Sequence, residues 1–396
     1  MGKVGSRLVQ PDAQLTPRAR VLAVGMLPPP IGGQAVMFEH AVRSIAARAD
    51  VDTVNTQVQN NIGDSGALSL GKLIRFAAVL VRRVLPLVMN ETYDVLYYCP
   101  AGPNRIALLK DIALLSVIRR KASRVIFHFH ATGSGEYIER QSPSIRWFAD
   151  KFLFRPDVAV RCADVLPDDA VAYKAREDRI VMNGIADPLL PYLGRERPAS
   201  DIAKITYIGA LVEDKGILDL VDIAAHLAQA GCRFELHVVG EGVASDVARF
   251  DDLARKRGVA DYIKRRGVLT GAPKYDLLFE TTVFVFPSFF RAETQPLAVI
   301  EAHAMGVPAV GYDWRGVATI IEEGATGYVV PTRDTARFAA AVKSLLEGDV
   351  ARQMGDRARS RYEKQFTLDR FVEELSELIL GKDSGDARIM KSETHN

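Results

Sequence analysis

Two carboxylates eight residues apart, Glu293 and Glu301, stand in the stretch "FFRAETQPLAVIEAHAMGVP" (289–308). Carboxylates repel phosphate but accept hydrogen bonds from sugar hydroxyls, so the pair suits a ligand with a ring on either side of an anionic bridge. The preceding run "TTVFVFPS" (281–288) is β-branched and aromatic and reads as a buried strand. Pro296 fits the first turn of a helix, where its missing N–H is not needed. Apolar positions at Leu297, Ile300, Ala304 and Met305 carry that helix to a stop at Gly306-Val307-Pro308. Thr294, Gln295, Pro296 and Leu297 then present unpaired backbone donors to an anion at the carboxyl end of a strand. The plainer reading is a capping acid at Glu293 and a paired structural acid at Glu301. Function is favoured because "AVIEAHAMG" is otherwise apolar, and an unpaired carboxylate there would be costly.

Three other stretches carry residues of the right kind. In "VGMLPPPIGGQAVMFEHAVRSI" (24–45) a strand runs through prolines to Gly32 and Gly33 and into an amphipathic helix. Such a corner lets amide groups approach a phosphate, although a glycine turn needed only for packing would read the same. No G-x-G-x-x-G is present, which weakens a nicotinamide reading. In "VIFHFHATGSGE" (125–136), His128 and His130 project from one face of a strand, with His130 at its end. His128 suits a core histidine satisfied by backbone; a zinc site would need more ligands, and none is near in sequence. In "YIGALVEDKGILDL" (207–220), Gly209 ends a strand, and Lys215-Gly216 open a helix where a cation and free donors suit a phosphate. A solvated surface lysine is the plain alternative.

These residues must be positioned by alternating elements. Strand-like runs are expected at 20–26, 51–58, 94–99, 124–130 and 179–184, then at 204–211, 234–242, 282–288, 308–312 and 326–331, with helical patterns between most of them. That alternation predicts α/β domains whose parallel sheets are covered on both faces. A chain of 396 residues divides naturally into two such domains. The boundary is placed in "NGIADPLLPYLGRERPASD" (183–201), which is rich in Pro and Gly. Residues 1–19 read as a flexible terminus, 20–187 as the first domain, 188–365 as the second, 366–380 as a final helix and 381–396 as a disordered tail. In doubly wound domains ligands bind beyond the carboxyl ends of strands, so two domains facing one cleft would bring all four stretches together.

Composition narrows the class. Apolar residues make up 48% and charged residues 25%, the balance of a globular protein. Cys99, Cys162 and Cys232 form no metal or disulfide pattern, so a cytoplasmic setting is expected. No secretory leader or membrane-spanning run is evident. Net charge is +2, divided as +6 over residues 1–190 and −4 over the rest. The segment "LGKLIRFAAVLVRRVLP" (70–86) places Lys72, Arg75, Arg82 and Arg83 within an arc of about 100° on a helix. Val79 lies inside that arc and Phe76 just beyond its edge, which suits peripheral contact with an anionic membrane; a core helix with one solvated basic edge is the alternative. Nucleic acid is not expected, because aromatic residues are not interleaved with the basic ones.

The E-x7-E block followed by "EAHAMGVP" resembles the donor-site signature of the retaining glycosyltransferases of family four (glycosyl transferases group 1). A Gly-Gly loop after the first strand, a strand ending in His, "NGI" at the domain crossing, "G…KG" and "VVGEG" follow the order of that family, over about residues 20–375. The resemblance implies the GT-B fold: two doubly wound Rossmann-like domains facing across a cleft, acceptor side first and donor side second. It implies a nucleotide-diphosphate sugar as co-substrate, a glycan or lipid-linked acceptor, retention of anomeric configuration, and no cofactor or metal. Glu293 would then touch the transferred sugar and Glu301 the nucleotide ribose. Gly32, Gly33, Lys215 and the amides of 294–297 would hold the diphosphate. His130 would sit beside the reacting carbon, while Gly240, Gly242, Gly267 and Val268 would border the base. The sequence departs in two places. Ala210 stands after Gly209 where the family often has an arginine, so Arg291 is a candidate replacement. "ETQP" replaces a glycine-rich turn, so Thr294 and Gln295 side chains are expected to shape the sugar pocket. A sugar-nucleotide epimerase and a non-catalytic sugar-nucleotide sensor are the competing functions.

Overall fold

The computed structural model describes residues 18–29, 32–57, 78, 80–198 and 200–381. Expectations for the first 17 residues, for Lys72, Arg75, Phe76 and Val79, and for the tail beyond Gly381 lie outside the described residues.

The described strands form two six-stranded parallel sheets. The first contains β1 (Arg20–Gly25), β2 (Asp50–Asn55), β3 (Tyr93–Tyr98), β4 (Ala122–Phe129), β5 (Val158–Arg161) and β6 (Glu177–Ile180), in the order β2-β1-β3-β4-β5-β6. The second contains β7 (Ala203–Ile208), β8 (Phe234–Val239), β9 (Ile263–Gly267), β10 (Val283–Phe286), β11 (Ala309–Tyr312) and β12 (Gly327–Val330), in the order β12-β11-β10-β7-β8-β9. Helices of the first domain are α1 (Gly33–Ala46), α2 (Leu85–Asn90), α3 (Arg105–Ile118), α4 (Ser134–Glu139), α5 (Pro143–Phe152) and α6 (Asp169–Ala172). Those of the second are α7 (Ile217–Gln229), α8 (Ala244–Lys256), α9 (Ala272–Glu280), α10 (Leu297–Ala304), α11 (Val317–Ile320), α12 (Thr335–Leu345) and α13 (Val350–Gln365); α14 (Leu368–Leu380) ends the described chain.

Strand order reverses between β1 and β3 in one sheet and between β7 and β10 in the other. Loops leaving such a pair diverge to opposite faces and open a crevice. Central strands need apolar residues on both faces, and all four residues of β10, "VFVF", are buried. Edge strands do not, which explains a strand the sequence reading missed: β9, "IKRRG", lies at the sheet edge and is mostly exposed. The other missed strand, β5, has four buried residues and is too short for its periodicity to separate it from a helix.

The chain crosses between domains at Asn183–Ile185 and returns beside it. Ile185 N donates to Phe366 O at 2.9 Å, and Leu368 N donates to Ile185 O at 2.8 Å. The final helix α14 then packs on α1: Ser44 and Ser376 share a hydrogen bond at 2.8 Å, and Phe371, Leu375 and Ile379 join the core that holds Phe38 and Ile45. Leu297, at the start of α10, packs against this first-domain core and against that of its own domain.

His303 on α10 is fully buried, and neither ring nitrogen has a hydrogen-bond partner among the described residues. Burial first, and the nearby Arg361 second, push its pKa down to about 3. An unfolded histidine titrates near 6.5, so below that pH the unfolded chain gains a proton that the folded chain refuses. Stability is therefore fully present above about pH 6.5 and falls by up to ~1.4 kcal/mol per pH unit as pH drops toward 3. His303→Leu is expected to raise the urea midpoint more at pH 5 than at pH 8. An equal shift at both values would show that the imidazole is not the cause.

Candidate active site

Loops from β7 and β10, the two strands at the reversal of the second sheet, meet at an ion pair. Lys215 Nζ lies 2.6 Å from Glu293 Oε2, which also accepts from Ser288 Oγ at 2.7 Å. The two side chains are only 18% and 9% exposed, so the pair sits in a partly dried pocket. The Lys215 ammonium lies 4.7 Å from the Phe290 ring centroid, adding a cation–π contact. Glu293 Oε1 has no protein partner among the described residues and is available to a hydroxyl. Lys215 and Glu293, distant in sequence, thus act on each other directly.

Glu301 repeats the pattern one turn deeper. Its Oε1 accepts from Lys274 Nζ at 2.6 Å and lies 3.4 Å from the Tyr275 hydroxyl, and its Oε2 has no protein partner among the described residues. The sequence left Lys274 unremarked, yet it neutralises a carboxylate that the apolar flanks would otherwise make costly.

Helix α10 begins at Leu297, so Pro296 occupies the capping position with extended ψ (118°) rather than the first helical turn. A Cβ placed on Gly33 would lie 3.8 Å from Leu297 Cδ1, so the Gly32–Gly33 corner at the start of α1 faces the start of α10 across the cleft. Thr294 Oγ1 donates to His130 O at 3.2 Å, joining the two domains. Gln295 departs from its expected role in a sugar pocket. Its Oε1 accepts from Asn183 N at 2.9 Å, its carbonyl accepts from Asn183 Nδ2 at 3.0 Å, and its Nε2 donates to Thr319 Oγ1 at 3.2 Å. A side-chain amide engaged at both its oxygen and its nitrogen holds the domain crossing.

His130 follows β4, is buried, and has no partner for Nε2 among the described residues; burial pushes its pKa down to about 4. It is therefore neutral at pH 7 and offers a hydrogen bond rather than a positive charge. His128 is held by Tyr97 Oη at 2.8 Å from Nδ1, a side-chain partner where a backbone one was expected. The two imidazoles lie 4.0 Å apart between centroids, tilted by 39°. The fold adds Cys162 to them, with one potential ligand atom from each of the three within 4.8 Å of the others. A missing strand hid this neighbour: with β5 paired to β4, the residue after Arg161 falls beside the end of β4. The loop after His130 is organised by Asp169, which accepts from Gly133 N and Gly135 N at 2.8 Å each and from Thr132 and Ser134 hydroxyls at 3.2 Å.

Gly209 N donates to Val239 O, and Gly240 N to Gly267 O, so these turns pack together at the carboxyl ends of β7, β8 and β9. Val268, just after β9, is 53% exposed. Arg291 does not join the Lys215–Glu293 pair. Its ion partner is Glu136 of the first domain, 3.8 Å away, and each is about half exposed (47% and 46%). A second arginine in the same loop system, Arg315, escaped the sequence reading. The rule that site residues follow strands would have found it, since it lies three residues after β11.

Two facing doubly wound domains, with the marked residues at strand ends between them, define the GT-B class of fold. Solved structures agree: sucrose-phosphate synthase from Thermosynechococcus elongatus superposes with a TM-score of 0.71 at 17% identity, covering 91% of this chain and 98% of that one. HepE from Anabaena, solved with UDP and glucose, gives 0.65 at 15% identity, covering 91% and 99%. Residues 203–348 match the family profile described as Glycosyl transferases group 1. Among curated relatives, glycogen synthase from Mycobacterium tuberculosis is 30% identical over 211 residues, 53% of this chain and 50% of the relative. The putative colanic acid biosynthesis glycosyltransferase WcaL from Escherichia coli is 24% identical over 293 residues, 72% and 69%. The match to glycogen synthase spans about half that relative's length.

Proposed function

We propose that the protein transfers a sugar from a nucleotide-diphosphate sugar to a glycan or lipid-linked acceptor, with retention, in the synthesis of a polysaccharide or glycolipid. The observation that carries this reading is the Lys215–Glu293 pair at the reversal of the second sheet, with Ser288 behind it. Breaking a sugar–diphosphate bond puts negative charge on the leaving phosphate and positive charge on the anomeric carbon. Lys215 and the amides at the start of α10 answer the first, and Glu293 Oε1 meets a sugar hydroxyl beside the second. Glu301 Oε2 suits a ribose hydroxyl on the other side of the diphosphate. Neutral His130 donates or accepts a hydrogen bond at the sugar without competing as an acid. No side chain is assigned as nucleophile: the acceptor hydroxyl attacks the face from which the diphosphate leaves, and a departing phosphate oxygen takes its proton. The match of residues 203–348 to the group-1 profile and the likeness to WcaL support the reading. The chain is proposed to act without a metal or cofactor.

A membrane-facing acceptor belongs to the same proposal. Arg82 and Arg83 are exposed beside Val81 (61% exposed), with Met89 (71%) one helix on, a basic and apolar surface suited to anionic lipid. Among the described residues, no helix is long and apolar enough to cross a membrane.

The test is incubation with a panel of sugar nucleotides, scoring nucleoside diphosphate release, with anionic vesicles present and absent. One donor is expected to stand out, and Glu293→Gln to reduce its turnover by about a hundredfold. Equal turnover by Glu293→Gln would remove the sugar contact. Release that ignores vesicles would count against the lipid surface.

A further inference from the structure

Two guanidinium groups remain at the cleft after the donor has been accounted for. Arg291 lies in the loop after β10, and Arg315 in the loop after β11, the strand paired with β10. Arg315 is a non-glycine residue with φ of 48°, a strained left-handed conformation. Its flanks show what holds it. Trp314 Nε1 donates to Phe290 O at 2.8 Å, and a Cβ on Gly316 would fall 2.0 Å from Thr294 O. The arginine is therefore clamped from both sides to the loop that carries Arg291 and Glu293. Its guanidinium lies 5.6 Å from the Trp314 ring centroid, and its buried Nε has no acceptor among the described residues.

The charges around these arginines do not balance. Arg315 lies in the fields of Glu136, Arg291 and Asp169, two acids of the first domain and one competing base. Asp169 is already occupied, each of its oxygens taking one amide and one hydroxyl of the 132–135 loop. That leaves Glu136 to answer two guanidiniums, and its contact with Arg291 is loose and half exposed, the kind of pair that water screens heavily. An incoming anion could replace it at little cost. On the donor side, by contrast, Lys215 and Lys274 each have their own carboxylate.

We propose that Arg291 and Arg315 seat an anionic group carried by the acceptor, a phosphate or carboxylate near the hydroxyl that receives the sugar. The inference rests on the transferase reading above and narrows its substrate class. Planar guanidiniums are the side chains suited to bidentate recognition of such groups. The anion belongs to the acceptor because Arg291 pairs with Glu136 of the first domain, the wall opposite the donor pair, and Arg315 is clamped to the loop that carries Arg291.

The probes are four acceptors sharing one sugar: its neutral octyl glycoside, its octyl phosphate, its octyl diphosphate, and the octyl glycoside of the matching uronic acid. With the donor found by the panel, the anionic acceptors are expected to exceed the neutral one by about tenfold or more in kcat/KM. The phosphate and uronate arms identify the source of the charge. Arg315→Gln should erase the preference through acceptor KM rather than donor KM, and Arg315→Lys should restore part of it. Calorimetric binding of octyl phosphate in the presence of nucleoside diphosphate reads the same seat without catalysis, and should weaken about tenfold in Arg315→Gln. Equal use of the neutral acceptor, a preference that follows the donor's charge, or lost nucleoside diphosphate affinity in Arg315→Gln would each overturn the proposal. Failure of the transferase reading looks different: no donor in the panel would be consumed by the unmodified protein.

Discussion

Lys215→Met is expected to lower turnover by about three orders of magnitude, and to destabilise the fold at the same time. The catalytic loss follows from removing the ammonium that meets the leaving diphosphate, in a site where side chains are less than one-fifth exposed and screening by water is weak. The stability loss has a different origin. With the lysine gone, Glu293 keeps only Ser288 as partner for a buried carboxylate, and breaking a buried pair costs about 3 kcal/mol. The two effects separate in the double variant Lys215→Met/Glu293→Gln. It removes both charges and is expected to regain most of the urea midpoint while turnover stays low. Recovery of turnover along with stability would show that Lys215 acts only by holding the loop.

Gly216→Ala should be strongly damaging for one added methyl. Gly216 has φ of 78° and lies against Pro287, whose carbonyl oxygen would be 1.9 Å from a new Cβ. A left-handed alanine costs ~1–2 kcal/mol, and the overlap with backbone adds ~1–3 kcal/mol. No flexible side chain is available to yield. Instead the turn carrying Lys215 must separate from the strand end that leads to Glu293, so stability and turnover are expected to fall together. Chemical denaturation and the diphosphate-release assay measure both. A variant as stable as the parent would mean that the β7 and β10 loops are not packed as described.

How much of this was legible beforehand depended on the range of the interaction. Parallel α/β architecture, Glu293 on a loop and Glu301 within a helix follow from periodicity and from turn residues, which act over a few positions. Short-range signals failed where burial was decided elsewhere. The "IKRRG" of β9 is a strand because Leu236–Val239 of β8 supplies its hydrogen bonds, and nothing in its own composition says so. Gln295 likewise looked like a ligand contact until Asn183, far off in the chain, proved to occupy its amide.

By itself the sequence determined which residues end the strands and therefore which side chains stand at the mouth of a crevice. Local sterics and apolar spacing decide that. Only the tertiary structure decided who partners whom: Lys215 with Glu293, Lys274 with Glu301, Cys162 beside the two histidines, Arg291 with Glu136 across the cleft. The reason is physical. Charge pairing depends on distances in space of a few ångströms, and those distances are set by strand order and by the angle between domains, which are properties of the packed whole.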